Sequence, residues 1–156
     1  MRFVRHGLVF ILIVHAFLVM LIAYATTHTV FFQDEACIKP YQLFEFHTCA
    51  PMHVLIDGDI YVVPQDFTTD LASIPRPLWS IFAPQFTGFI APAILHDYLY
   101  SCGSLADRQW ADEVFYSALI ANRVAVMTAI KFYLSVRLFG GANYIDHIDT
   151  CTRMRK

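Results

Sequence analysis

The chain has 156 residues, enough for one domain with its own core and too few for two of ordinary size. A formal charge of −2 and a pI near 6.3 leave no basic field to hold phosphates, so nucleic acid is excluded as an expected partner. Hydrophobic residues make up 57% of the chain and mean hydropathy is +0.49, high for a soluble domain and a first sign of membrane contact.

One segment accounts for much of that excess. After Arg2 and Arg5, residues 7–25 (GLVFILIVHAFLVMLIAYA) carry no formal charge. At ~1.5 Å rise per residue this stretch spans roughly 28 Å as a helix, close to the hydrocarbon thickness of a bilayer. Two readings stand. The stretch is an uncleaved membrane anchor, which its length favours, or a signal peptide cleaved after the small-x-small sequence Ala23-Tyr24-Ala25. In both, the two arginines stay in the cytoplasm and residues 26–156 form a single exported domain, periplasmic or extracellular. All four cysteines (Cys37, Cys49, Cys102, Cys151) follow the apolar stretch, as disulfides in an exported domain would. Three pairings are open, the most local being Cys37 with Cys49 and Cys102 with Cys151; free buried thiols are the alternative.

In chain order, YQLFEFHTC alternates like a strand across residues 41–46. HVLIDGDIYVVP then sets Asp57-Gly58 between two β-rich runs, a hairpin signal. PQDFTTDLASIPRPLW follows, with Pro64, Pro75 and Pro77 forcing a loop. Residues 89–101 read as a helix with Pro92 in its first turn. Ser104-Leu105-Ala106-Asp107 has the form of an acidic capping box for a second helix running to about Asn122. NRVAVMTAIKFYLSVRLF makes a third helix, stopped by Gly140-Gly141. Lys131 and Arg137 inside it point to a packed domain helix and not to a second membrane span. The basic tail TRMRK is expected to fray. The expected fold class is therefore α+β, mostly α: an N-terminal transmembrane or signal helix, a short β-hairpin region, then three packed helices.

The chemistry centres on APAILHDYLYSC. On a helix, His96 and Tyr100 are four apart and share a face, while Asp97 projects about 100° away. A short connection would make the next helix antiparallel and bring Asp112 near His96. A histidine oriented by a carboxylate is a competent general base for water. Asp97 could hold a hard cation in the same groove. The bland alternative is a satisfied core histidine bonded to Asp112 or Asp70, with Asp97 paired to Arg108 or Arg76. Weaker candidates are a zinc site on His47, Cys49 and His53, which a disulfide at Cys49 would remove, and Ser73 as a nucleophile.

Two resemblances rest on these motifs. VVPQDFTTDLASIPRPLW, APAILHDYLY, ADRQWADEVFYSAL and YLSVRLFGG, across roughly residues 56–144, resemble a bacterial and phage family known as domain-of-unknown-function family 1353. That family implies kinship and no activity. More locally, HDYLY followed by a helix carrying ADEVF is similar to the histidine-aspartate motif and later aspartate of secreted phospholipases A2. That resemblance implies His96 as the base activating water, Asp112 orienting His96, and Tyr100 bonded to Asp112. It also implies Asp97 as a calcium ligand, with membrane lipid as substrate. The chain departs from those enzymes at Ala93, where they carry a cysteine. It also has the TDLASIP loop in place of a Gly-rich calcium loop, which makes Asp70 the expected second ligand. The sequence thus supports a lipid hydrolase using calcium. Its alternatives are a non-catalytic envelope or phage-accessory protein, and a hydrolase of another envelope ester or amide.

Overall fold

A computed structural model describes residues 28–43, 45–71, 87–101, 107–142, 144 and 152–154. Among the described residues, six strands of two small antiparallel sheets precede three helices, and a seventh strand follows them. The first sheet has the order β1-β4-β5-β7, from β1 (Val30–Phe32), β4 (Met52–Ile56), β5 (Asp59–Val63) and β7 (Thr152–Met154). The second joins β2 (Ile38–Gln42), β3 (Glu45–Thr48) and β6 (Thr68–Thr69) in that order. The helices are α1 (Thr87–Tyr100), α2 (Arg108–Ala121) and α3 (Val126–Phe139). An α+β arrangement with three packed helices agrees with the expectation from sequence, while the strand that follows them does not.

The Asp57-Gly58 hairpin forms as the dipeptide predicts. Asp57 has φ 51° and Gly58 φ 95°, the pair of positive angles that a tight turn between right-twisted strands requires. The register runs from Met52↔Val63 to Ile56↔Asp59, so Met52, Val54, Ile56, Tyr61 and Val63 all fall on one buried face. Asp57 also accepts from the Thr29 amide at 2.8 Å and bonds His28 Nδ1 at 2.6 Å, tying the start of the described domain to the turn.

Residues 41–46 do not make one strand. The chain reverses near Leu43, and the two arms become β2 and β3, paired from Ile38↔Thr48 to Gln42↔Glu45. The Cys37–Cys49 disulfide closes this second hairpin, as the local pairing anticipated. Closing a loop of this size stabilises a fold by about 3 kcal/mol, chiefly by restricting the unfolded chain. Cys102 and Cys151 lie outside the described residues. The tail also departs from expectation: Thr152–Met154 adds to β5, with Ile60↔Met154 and Tyr61↔Arg153 as partners.

Helix α1 begins at Thr87, so Pro92 sits inside it and not in its first turn. A proline there leaves the carbonyl four residues earlier without its helical donor. Asn122 Nδ2 supplies one, donating to the Gly88 carbonyl at 3.2 Å. At α2 the cap is Asp107 itself, whose side chain accepts from the Trp110 amide at 2.7 Å. The expected box instead placed Asp107 in the first turn, with Ser104, outside the described residues, as the cap.

The sheet face packs on Ile94, Leu95, Tyr98 and Leu99 of α1 and on Ala111, Val114 and Ala118 of α2. A second cluster joins Ala93, Phe115, Tyr116 and Leu119 to Ala129, Ile130, Phe132 and Val136 of α3. Helix α2 is thus buried on two sides, which explains why eight of its fourteen residues are buried. Helix α3 is a packed domain helix, and among the described residues no helix is long and apolar enough to cross a membrane. The expected N-terminal membrane helix falls on residues 1–25, outside the described residues.

Candidate functional site

Gly88 meets Asn122 at one end of the α1–α2 pair and Tyr100 meets Asp112 towards the other, so the two helices run antiparallel. His96 and Tyr100, one turn apart on α1, converge on the same Asp112 oxygen. His96 Nε2 lies 2.9 Å from Oδ1 and the Tyr100 hydroxyl donates to Oδ1 at 2.6 Å. His96 is 1% exposed and Asp112 is fully buried. The imidazole is wedged against the Tyr100 and Phe115 rings, with centroids at 4.0 and 4.6 Å. The structure brings His96, Tyr100 and Asp112 together in the arrangement the sequence led us to expect.

The protonation states follow from the surroundings. Burial alone pushes the Asp112 carboxyl up, but hydrogen bonds from His96, Tyr100 and Arg137 more than offset it and hold Asp112 below the ordinary carboxylate range. Burial pushes His96 below the ordinary histidine value, against the opposing pull of Asp112 and, at longer range, of Asp70. Burial and the adjacent carboxylate raise the Tyr100 hydroxyl, so it remains a donor. An ionised carboxylate only accepts, so a neutral His96 must carry its proton on Nε2. Its Nδ1 then has a free lone pair. That atom is buried and has no hydrogen-bond partner among the described residues, with Asp97 Oδ1 at 4.0 Å.

Two arginines complete the cluster, Arg108 from the same helix as Asp112 and Arg137 from α3. Arg108, the i−4 neighbour of Asp112, keeps its Nε 3.9 Å from Oδ2. Its Nη2 donates to the carbonyls of Val136 and Arg137 at 2.8 and 2.5 Å, satisfying the open C-terminal end of α3. Arg137 reaches back from α3 and donates to Asp112 Oδ2 at 2.9 Å. Sequence alone marked Arg137 as a charge in an apolar helix without naming its partner. Gly140 lets α3 end this close: a Cβ there would stand 2.7 Å from the Tyr100 hydroxyl. Replacing Arg137 by Leu should cost about 1.5–3 kcal/mol, the range for a charged hydrogen bond, and urea unfolding checks it.

Asp97 does not join the Asp112 cluster. Its Oδ2 accepts from the buried Thr69 hydroxyl at 2.5 Å, and that hydroxyl in turn accepts from the Leu71 amide at 3.0 Å. The two bonds pin the end of β6 to α1 and carry the exposed Asp70 within electrostatic range of His96. The sequence offers Thr69-Asp70 as a cap for the turn that follows, and the Leu71 amide bond to the Thr69 hydroxyl is such a turn. The bond from Thr69 to Asp97, twenty-eight residues away, has no local signature. Ser73 and Arg76 lie outside the described residues. The zinc alternative is removed at Cys49 by the disulfide, while His53 bonds Asp34 at 2.7 Å and His47 stacks on Tyr41. Among the described residues no group of three His, Cys, Asp or Glu is placed to hold a metal ion.

A half-open cleft of about 580 Å³ lies elsewhere, lined by Phe32, Asp34, Glu35, Ile90, Ala91 and Asn122. His96, Tyr100 and Asp112 do not line it, so this cleft and the buried cluster do not coincide.

The motifs across these elements match one family model over residues 49–136, beginning seven residues earlier and ending eight earlier than the motif resemblance suggested. No curated protein and no solved structure matches the chain. The matched stretch runs from Cys49 to Val136, takes in β4 to α2 and most of α3, and holds His96, Asp97, Tyr100 and Asp112. On that match the chain belongs to the family described as protein of unknown function DUF1353.

Proposed function

We propose that the chain is a lipid-directed ester hydrolase of phospholipase A2 type, with His96 as general base. The observation that carries this is the polarity of the imidazole. Nε2 is fixed on the buried Asp112 carboxylate, while Nδ1 is neutral and bears no partner among the described residues. In the step, Nδ1 takes a proton from water as the water oxygen bonds the ester carbonyl carbon. The imidazolium then returns the proton to the departing alkoxide as the acyl–oxygen bond breaks, giving acid and alcohol. Asp112 stabilises the imidazolium through Nε2–H; Tyr100 and Arg137 hold that carboxylate still.

Calcium is the cation the phospholipase resemblance implies, on Asp97 and Asp70. Calcium takes about six to eight oxygen ligands, more than these two carboxylates provide, so the step above is written through protein groups alone. The setting proposed is a membrane, with residues 7–25 as anchor and the domain on the exported side.

The burial of His96 favours a second reading, in which His96, Tyr100 and Asp112 are a packing element of a non-catalytic protein. Fatty-acid release from mixed phospholipid vesicles, with calcium or with chelator, separates the two. Release that disappears in His96→Gln supports the hydrolase, because the glutamine amide can still donate to Asp112 but has no basic nitrogen. Equal release from the variant and the wild type overturns it. Release that survives chelator removes calcium from the account.

A further inference from the structure

The outer face of α3 is built for an anionic lipid surface, we infer. Helix α3 buries Ala129, Ile130, Phe132, Ser135 and Val136 against the rest of the fold. The opposite stripe carries Met127, Lys131 and Leu138 on its exposed crest, with Leu134 between them half-buried against the core. A solvated face would carry polar residues there. Instead Met127 is 60% and Leu138 73% exposed, and Phe139 next to it is 57% exposed.

Charge selects the occupant. From Arg123 to Phe139 there is no Asp or Glu, although the whole chain carries −2. Arg137 is turned inward onto Asp112, which leaves Arg123 and Lys131 exposed beside the apolar stripe. Long cationic side chains around large apolar ones fit a layer of anionic headgroups with acyl chains beneath, the cations staying at headgroup level. The uncharged stretch 7–25 ends three residues before His28, so a bilayer holding it would lie within roughly 10 Å of the described domain along the chain. This deepens the proposed membrane setting and rests on it, but not on hydrolysis.

The test uses the full chain in vesicles that contain a diazirine-bearing phospholipid, with adducts mapped by mass spectrometry after illumination. One set is phosphatidylglycerol with phosphatidylcholine and the other phosphatidylcholine alone. The expected result is labelling at Met127, Leu138 or Phe139 in the anionic vesicles. It should fall by on the order of twentyfold in the neutral set, where the attraction of both Arg123 and Lys131 is lost, and by about fivefold in Lys131→Gln, where one cation's is lost. Met127→Ser with Leu138→Ser should abolish it with unchanged circular dichroism, since both side chains are exposed. Labelling confined to residues 7–25, or equal labelling of α3 in both lipids, would overturn the inference. His96→Gln should label as the wild type does, so loss of the hydrolase reading leaves this result standing.

Discussion

Replacing Asp112 by alanine is expected to lower the unfolding free energy by about 3–5 kcal/mol, the largest effect of any single change in the described domain. The carboxylate is fully buried and is the acceptor for His96, Tyr100 and Arg137 on three sides. Its removal leaves a tyrosine hydroxyl, an imidazole N–H and a partly buried guanidinium without their partner, and opens a void among them. For a chain of this size the thermal midpoint should drop by roughly 6–20 °C. Tyr100→Phe removes the donor to Asp112 and the acceptor of the Arg108 Nε–H, so about 1–2 kcal/mol is expected there. A loss for Asp112→Ala no larger than that for Tyr100→Phe would mean that the cluster is not acting as one unit. Asp112 also sets an acid limit. Its folded pKa is depressed, so its stabilisation is present above the ordinary value of 3.8 and is lost as pH falls through the folded value.

His96→Gln is the second large effect and the more informative one. If His96 is the base, hydrolysis should fall by about 10²–10⁴-fold, the usual contribution of such a group. Stability should fall by about 1–3 kcal/mol, because a buried imidazole and its packing are lost even though one hydrogen bond is kept. The two readings of the site part at pH and activity together. His96 has a folded pKa below its ordinary value of 6.5, because burial disfavours the imidazolium. The unfolded chain therefore takes up the proton first as pH falls, and wild-type stability declines from 6.5 downward, by up to about 1.4 kcal/mol per pH unit. The groups facing the ring are Asp112, Arg108, Tyr100, Asp70 and Asp97, and all but Asp70 and Asp97 belong to the Asp112 cluster. The stability gap between wild type and His96→Gln should accordingly narrow between pH 7 and 5 in urea unfolding. A gap that stays constant would show that the ring is not held neutral. The same neutral state means that hydrolysis, where present, keeps its base form down to a pH below 6.5.

Much of this architecture was legible locally. Asp57-Gly58 between apolar runs specified its hairpin because only residues tolerant of positive φ fit the turn. The spacing of His96 and Tyr100 placed both on one face, and the short link to the next helix brought Asp112 across. The failures were local ambiguities that distant partners resolved. Residues 41–46 alternate like a strand, yet pairing with β6 and closure by Cys37–Cys49 fold that stretch into two arms. Pro92 suggests a helix start, but Asn122, thirty-four residues from Gly88, repairs the carbonyl that a proline strands and lets the helix begin earlier. The tail's basic residues suggest fraying, and a free edge of β5 captures Thr152–Met154 instead.

The sequence by itself carried the family motifs, the α+β order and the shared face of His96 and Tyr100, because each is written in local residue order and spacing. It left Asp112 and Asp70 both open as the partner of His96. Only the tertiary structure decided that Arg137 neutralises Asp112 from α3, that Thr69 holds Asp97, and that Nδ1 of His96 is the nitrogen left without a partner among the described residues. The Arg137–Asp112 and Thr69–Asp97 contacts join residues twenty-five and twenty-eight positions apart, and a free lone pair is a property of everything packed around a ring, which no stretch of sequence carries by itself.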